Sequence, residues 1–469
     1  MSDTQLHMTS PAKAYQERRA TLAKNLTRPM VIFSGHALAR SYASNPHTFR
    51  AESCYLYFGG PPLEHAALMI EPGSDGQSGC TWFRTPPGPD DPLWLGPTPS
   101  DATCAAAIGI EASQVKDYST LESATSKGNI ACISPPHPET LAFACKLKLA
   151  KPTDEESLAI IDLRLIKDEH ELAAMRYAAK AGVAAHIAAM RATRTGNCET
   201  DVQAALVAEL VRHNCRESFS SICTIRGEVL HGECAGRKLH KGSLMLVDAG
   251  AEETGCYTSD MTRTYPVDGE WTEVQRHLYE TVLRAEQTAI KACVPGKRYL
   301  DIHRLAAQII CEGLVDAELL KGTPAELADR GAYGLFFPHG VGHLLGMGVH
   351  DLEDFGDLAG YASGRSRPER FGDCFLRLDR DLAPGMVVTI EPGIYLVPSI
   401  WERDALVKPF DDVVNRSAVD ALLDDEFGGI RIEEDVVIGS ETSAGPEVLT
   451  AALPNDPDVV SAIIDGTII

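Results

Sequence analysis

The run "SLMLVDAGAEETGCYTSDMTRTYPV" (243–267) carries an apolar, strand-like segment into Asp248 and places Asp260 twelve positions later in a second such segment. Three further segments share this pattern of an apolar run broken by a potential metal ligand beside glycine or proline. "FFPHGVGHLLGMGVHD" holds His339, His343 and His350, "MVVTIEPGIY" holds Glu391, and "FGGIRIEEDVVI" offers Glu433 or Glu434. Singly, each residue has an ordinary reading. An aspartate after a strand is a turn residue, a histidine between glycines is a satisfied loop histidine, and a glutamate at a strand end is a solvated charge. Jointly they pose an electrostatic problem, because a buried carboxylate needs a cation, a metal or a proton.

Arg431 is the one basic residue this reading places inside a strand core, too few for so many acids. A pair of divalent ions resolves the imbalance, since four carboxylates against two such ions leave a nearly neutral cluster. Oxygen donors with one imidazole suit manganese, cobalt or zinc better than soft ions. Paired ions in such sites clamp a water and lower its pKa, which is hydrolytic chemistry. Two strands joined by the "AEETGC" turn predict a hairpin that sets Asp248 and Asp260 on one face. His170 and Glu171 begin like a zincin helix, but Ala174 stands where the second histidine belongs, so that motif fails.

The elements that must position these residues occupy the second part of the chain. "IIDLRLIKDEHELAAMRYAAKAGVAAHIAAMRA" (160–192) predicts one long amphipathic helix opening a second domain. Helices are also predicted at "TDVQAALVAELVRHN", "TEVQRHLYETVLRAEQTAIKAC" and "LDIHRLAAQIICEGL", covering a largely antiparallel sheet. The acids fall into an earlier and a later pair, which hints at two related halves. Upstream, "MVIFSG", "HAALMIEP" and "IACISPP" read as strands and "TLAFACKLKLA" as a helix of a mixed α/β unit. The Pro/Gly-dense stretch 84–100 reads as an irregular surface loop.

A chain of 469 residues exceeds one ordinary core and implies two domains. A net charge of −23 argues against nucleic acid or an anionic membrane as partner. No apolar run approaches the ~18 residues of a membrane helix, and the polar start lacks the apolar stretch of a signal peptide. Thirteen cysteines, an odd number without a C-x-x-C pair, fit reduced thiols and a cytoplasmic location.

With these segments in order, the sequence resembles the pita-bread metallopeptidase family M24, which includes methionine aminopeptidase, aminopeptidase P and prolidase. The resemblance covers about 160–469 and rests on "LVDAG", "SDMTRTYPV", "FPHGVGHLLGMGVHD", "GMVVTIEPGIY" and "GGIRIEEDVVI". It implies an α+β architecture: a C-terminal pita-bread catalytic domain (159–469) preceded by a smaller mixed α/β, aminopeptidase P-like domain (1–158). It implies metal ligation by Asp248, Asp260, His343, Glu391 and Glu433, with Asp260 and Glu433 bridging two divalent ions, manganese first and cobalt or zinc as alternatives. Glu433 takes precedence over Glu434 because the family ligand follows "R-I". Strand alternation agrees, placing Arg431 and Glu433 on one face. Glu391 would also shuttle a proton. His231 and His350 would contact substrate and stabilise developing charge, Arg431 would orient a ligand carboxylate, and His339 would line the substrate pocket.

The N-terminal segment "SNPHTFRAESCYLYFGG" (44–60) resembles that of aminopeptidase P and prolidase, which implies short peptides with proline in the second position and a homodimer or higher oligomer. Arg377, fourteen positions before Glu391, resembles the prolidase arginine that grips a dipeptide's carboxylate. The long segment between Glu391 and Glu433 likewise resembles prolidase. The resulting expectation is an Xaa-Pro dipeptidase, with an Xaa-Pro aminopeptidase as the alternative and a metal-free creatinase-like or non-catalytic protein as remote ones. One departure stands out: near Phe219 the family has a tyrosine, and the turn before His231 is contracted here.

Overall fold

The computed structural model describes residues 6, 8–73, 75, 76, 79–126, 128–440 and 445–468. The chain divides into two compact units, Met1–Arg164 and Leu165–Ile469. That division lies six residues beyond the 158/159 expected from sequence, at the end of the helix Asp154–Leu165.

The first unit is built on a five-stranded mixed sheet. Its strands are β1 (Met30–Phe33), β2 (Ala66–Ile70), β3 (Cys80–Arg84), β4 (Val115–Asp117) and β5 (Ala131–Cys132), in the order β4-β3-β2-β1-β5. The three predicted strands are present, and the helix predicted around 140–150 spans Pro138–Lys146. β3 and β4 were hidden in sequence, β3 because it runs directly into the Pro/Gly-dense stretch and β4 because it is short and polar. Val31, Phe33, Ala67 and Phe83 share one core with Leu121 and Ala144. The 84–100 stretch is largely irregular, apart from the short helix Asp91–Trp94, and leaves Leu93, Trp94 and Leu95 facing solvent.

The helix predicted over 160–192 is two helices, Asp154–Leu165 at the end of the first unit and Glu169–Ala192 in the second. The break has a local cause. The Asp168 carboxylate accepts from the His170 and Glu171 amides, and Glu171 accepts from the Asp168 amide, a reciprocal cap that starts a new helix. Helices Glu199–Arg212, Glu273–Lys291 and Tyr299–Asp316 form as predicted.

The strands of this unit are β6 (Arg216–Glu217), β7 (Ile222–Thr224), β8 (Leu244–Asp248), β9 (Ala251–Glu252), β10 (Thr262–Pro266), β11 (Val387–Ile390), β12 (Gly393–Tyr395), β13 (Gly429–Arg431), β14 (Glu434–Val437) and β15 (Glu447–Val448). They form antiparallel sheets in the orders β10-β8-β7, β11-β14-β15, β12-β13 and β6-β9. Each half thus supplies two consecutive long helices and one three-stranded antiparallel sheet. The predicted hairpin exists: β8 pairs with β10, with Thr262 opposite Asp248. Beneath it Met245, Val247, Ala249 and Met261 pack with Ala181, Ala185 and Leu206 of the first helix pair.

Candidate metal centre and substrate cavity

The acids stand at strand ends and breaks, not within strands as the sequence suggests. Asp248 is the last residue of β8, Asp260 precedes β10 by two positions, Glu391 directly follows β11, and Glu433 lies between β13 and β14. Strand ends allow this because the side chain can turn inward while the backbone finds partners elsewhere. The Asp260 amide donates to the Asp435 carboxylate at 3.1 and 3.2 Å. The Glu433 amide donates to the Thr262 carbonyl at 3.1 Å, and the Glu391 amide to the Val341 carbonyl at 2.8 Å.

Side-chain alternation puts Asp260 and Thr262 on one face, and Thr262 faces Asp248 across the ladder. Thr262 Oγ1 donates to Glu433 Oε2 at 2.6 Å and accepts from Arg431 Nε at 3.1 Å. Arg431 also donates through Nη2 to Asp248 Oδ2 at 2.5 Å and through Nη1 to the Tyr395 hydroxyl at 2.9 Å. One hydroxyl and one guanidinium therefore orient two of the carboxylates. Thr262, Tyr395 and Asp435 were not singled out from sequence, although the Thr262 position follows once the hairpin register is drawn.

Glu434 points the other way and is buried, not a solvated edge charge. It is ion-paired with Arg263 and accepts from Thr450. Arg263 is completely buried in β10, so the reading of Arg431 as the sole cation in these strands is corrected. The remaining Arg263 N–H groups donate to the carbonyls of Thr262, Glu433, Leu453 and Pro454 at 2.8–2.9 Å.

His343 is fixed from both sides. Its amide donates to Thr389 Oγ1 at 3.1 Å, and its Nδ1 contacts the Leu344 carbonyl at 3.0 Å, which assigns the proton to Nδ1. Nε2 then offers its lone pair toward Asp260 Oδ2 at 3.5 Å and Glu391 Oε1 at 3.6 Å. The approach of this loop to β11 needs a glycine at 342, where a Cβ would lie 2.1 Å from the Thr389 carbonyl oxygen.

Donor atoms of Asp260, His343 and Glu433 all lie within 4.8 Å of one another. Asp248 Oδ1 and Asp260 Oδ1 are buried without a hydrogen-bond partner. Burial, then repulsion between neighbouring carboxylates, pushes Asp260 and Glu433 well above the usual carboxylate range, and burial pushes Glu391 up to about 7. Buried oxygens without partners, crowded acids and one oriented imidazole fit hard or borderline divalent cations.

A pH dependence follows. A carboxyl whose folded pKa is raised favours the metal-free fold while protonated, so that contribution is lost as pH rises through about 7. A divalent cation replaces those protons and binds more tightly as they leave. The rise in Tm on adding manganese is therefore expected to be larger at about pH 8 than at about pH 5.5, as read by thermal unfolding; equal gains would contradict this.

A cavity of about 540 Å³ opens over the acids, with Phe219, Leu230, Phe371, Phe375, Val397 and Ile400 among its apolar lining. His231, His339, His350, Arg377 and Arg431 all line it, together with Arg367 and Arg403. The cavity thus brings together the ten residues expected from sequence to act as ligands, catalytic groups or substrate contacts, and leaves out Glu434. The His350 ring meets that of His343 edge-on at 4.3 Å, and its Nδ1 lies 2.6 Å from Glu353 Oε2. Burial lowers the His350 pKa, and Glu353 pushes it back up. The hydrogen bond from His350 in turn holds Glu353 down at about 2. His339 contacts the Tyr395 hydroxyl at 2.9 Å through Nε2 and the Gly340 carbonyl at 2.8 Å through Nδ1, and burial lowers it to about 3, so it is a neutral ring. Arg377 is ion-paired with Glu353, a partner the sequence reading missed and that no spacing signal marks.

The profile described as metallopeptidase family M24 matches residues 173–440, more than half of the chain, and the profile of the aminopeptidase P N-terminal domain matches 15–129. The chain is 35% identical over 322 residues to the Xaa-Pro dipeptidase of Homo sapiens, an alignment covering 66% of this chain and 61% of that relative. It is 28% identical to the Xaa-Pro aminopeptidase of Haemophilus influenzae over 95% of this chain and 96% of that one. Among solved structures, the aminopeptidase PepP of Pseudomonas aeruginosa superposes with a TM-score of 0.77 at 26% identity, covering 98% of this chain and 99% of that one. A zinc-substituted Escherichia coli aminopeptidase P in complex with product gives the same TM-score, identity and coverage.

Proposed function

The chain belongs to metallopeptidase family M24, and we propose that it hydrolyses the Xaa-Pro bond of short peptides, dipeptides foremost. The observation that carries this reading is the convergence of Asp260, His343 and Glu433, beside buried oxygens of Asp248 and Asp260 that lack partners, at the floor of the cavity. In this reading Asp248, Asp260, His343, Glu391 and Glu433 would hold two divalent ions. Such ions, when bound, polarise a carbonyl and make water acidic enough to lose a proton near neutral pH.

The chain's own groups do the rest. Glu391 takes the proton of the attacking water on Oε2, the oxygen 3.8 Å from His339 Nδ1. A proline nitrogen carries no hydrogen and must gain one to leave. Glu353 orients the His350 ring through Nδ1 and opposes the lowering of its pKa by burial and His343, and the protonated fraction of this ring serves the leaving nitrogen or the developing oxyanion from the cavity wall. His231 lines the same cavity and serves the substrate carbonyl. The phenylalanine walls exclude water and accept the proline ring. Arg431 holds Asp248 in place, and Arg377 meets the dipeptide's carboxylate. Manganese, a homodimeric assembly and a cytoplasmic location complete the reading; among the described residues no helix is long and apolar enough to cross a membrane.

A second reading, cleavage of longer Xaa-Pro peptides, is favoured by two observations: the near full-length similarity to Xaa-Pro aminopeptidases, and the engagement of Arg377 by Glu353. Hydrolysis of Gly-Pro and Gly-Pro-Ala with added manganese separates the two. Faster release of glycine from Gly-Pro is expected. Preference for Gly-Pro-Ala would establish the aminopeptidase, and cleavage of neither would defeat the peptidase reading.

A further inference from the structure

Of the four arginines lining the cavity, Arg431 is fully committed, Arg367 is engaged through both Nη nitrogens, and the Arg403 side chain has no ion pair among the described residues. Arg431 is spent on Asp248, Thr262 and Tyr395, and its side chain is 4% exposed. Arg367 holds Asp357 at 2.6 Å and donates to the Cys374 and Leu376 carbonyls. Arg377 differs. Its side chain is 38% exposed, and among the described residues it is engaged only through Nη1, by Glu353 Oε1. Among the described residues the rest of its fork has no acceptor. Glu353, 44% exposed, is itself anchored from the opposite side, by His350 Nδ1 on Oε2. A carboxylate entering the cavity meets an arginine already paired with an internal carboxylate that has a second partner to fall back on.

We propose that Glu353 competes with the substrate's free carboxylate for Arg377, and so sets how strongly the cavity selects dipeptides over longer peptides. The proposal rests on the peptidase reading, in which Arg377 receives that carboxylate. Binding of a dipeptide exchanges one ion pair for another: Arg377 takes the incoming carboxylate in bidentate fashion, and Glu353 keeps His350. A peptide whose carboxylate lies farther out leaves the internal pair intact. Glu353 is thus a specificity-determining residue acting through Arg377, and its charge weakens dipeptide binding in particular.

The test uses the full chain with manganese and two probes that lack a free amine, acetyl-proline and acetyl-prolinamide, with affinity read by calorimetry. For Glu353→Gln the Kd of acetyl-proline is expected to fall about fivefold, a size set by the modest strength of partly exposed ion pairs. The Kd of the amide is expected to stay unchanged. In the double variant Glu353→Gln/Arg377→Ala the gain is expected to vanish, because the two residues act as one unit. The proposal is overturned if acetyl-proline binds wild type and Glu353→Gln equally, if neither protein binds it measurably, if both probes shift together, or if the gain survives without Arg377. Failure of the wild-type protein to cleave Gly-Pro would defeat the peptidase reading, while the binding comparison would still decide the role of Glu353.

Discussion

Replacing Asp260 by alanine is expected to lower kcat/KM on an Xaa-Pro substrate by roughly a thousandfold or more, the scale of losing several kcal/mol of metal-derived stabilisation. Bound metal, counted by elemental analysis after gel filtration, should fall in parallel. Asp260 is singled out because its side chain is nearly inaccessible and one of its oxygens has no protein partner. Its neighbours are His343 Nε2 at 3.5 Å and the Glu433 donor within 4.8 Å. Removing the carboxylate also relieves repulsion, since burial and neighbouring acids push the Asp260 and Glu433 carboxyls well above their ordinary range. The metal-free variant is therefore expected to be at least as stable as the metal-free wild type, so the lost activity cannot be ascribed to misfolding. A variant that kept full turnover without metal would refute the ligand assignment.

The largest stability effect is expected away from the reacting groups, at Arg263. This guanidinium is fully buried, pairs with Glu434, and donates to four backbone carbonyls. Arg263→Ala leaves the Glu434 carboxylate buried without its cation and should cost about 3–5 kcal/mol, measured by chemical denaturation. Adding Glu434→Gln to that variant should recover a large part of the loss, because the penalty belongs to the unpaired charge. A cost under about 1 kcal/mol for the single variant would show that the pair does not hold the strand together. The pair also bears on the site: Arg263 donates to the Glu433 carbonyl at 2.9 Å, so it fixes the backbone from which Glu433 reaches the cavity.

Much of the site was legible because ligation chemistry constrains residue type and spacing. Asp248 and Asp260 could be placed together from a hairpin with an identifiable turn, and Glu433 separates from Glu434 by strand alternation. The structure reproduces that separation, with Glu433 toward Thr262 and Glu434 toward Arg263. What stayed hidden depended on tertiary approach. Arg263 reads as an ordinary strand residue until Glu434 is seen turning toward it. Glu353 lies only three residues after His350, but its pairing with Arg377 needs a loop return over twenty-four positions that no local pattern encodes. The helix over 160–192 was read as continuous because apolar periodicity persists across the break. The reciprocal cap between Asp168 and Glu171 ends that continuity, and D-x-x-E is a signal present in the sequence. β4 has three residues, none of them buried, and no apolar pattern could reveal it.

The central claim is that acids and one imidazole from distant segments meet around paired divalent cations. A crystal grown with manganese, with anomalous scattering recorded at the metal edge, tests it most directly. The account predicts two anomalous peaks roughly 3.5–4 Å apart, ligated by Asp248, Asp260, His343, Glu391 and Glu433, with Asp260 and Glu433 touching both. Peaks elsewhere on the chain, or an ordered cavity that binds no ion under saturating manganese, would contradict it.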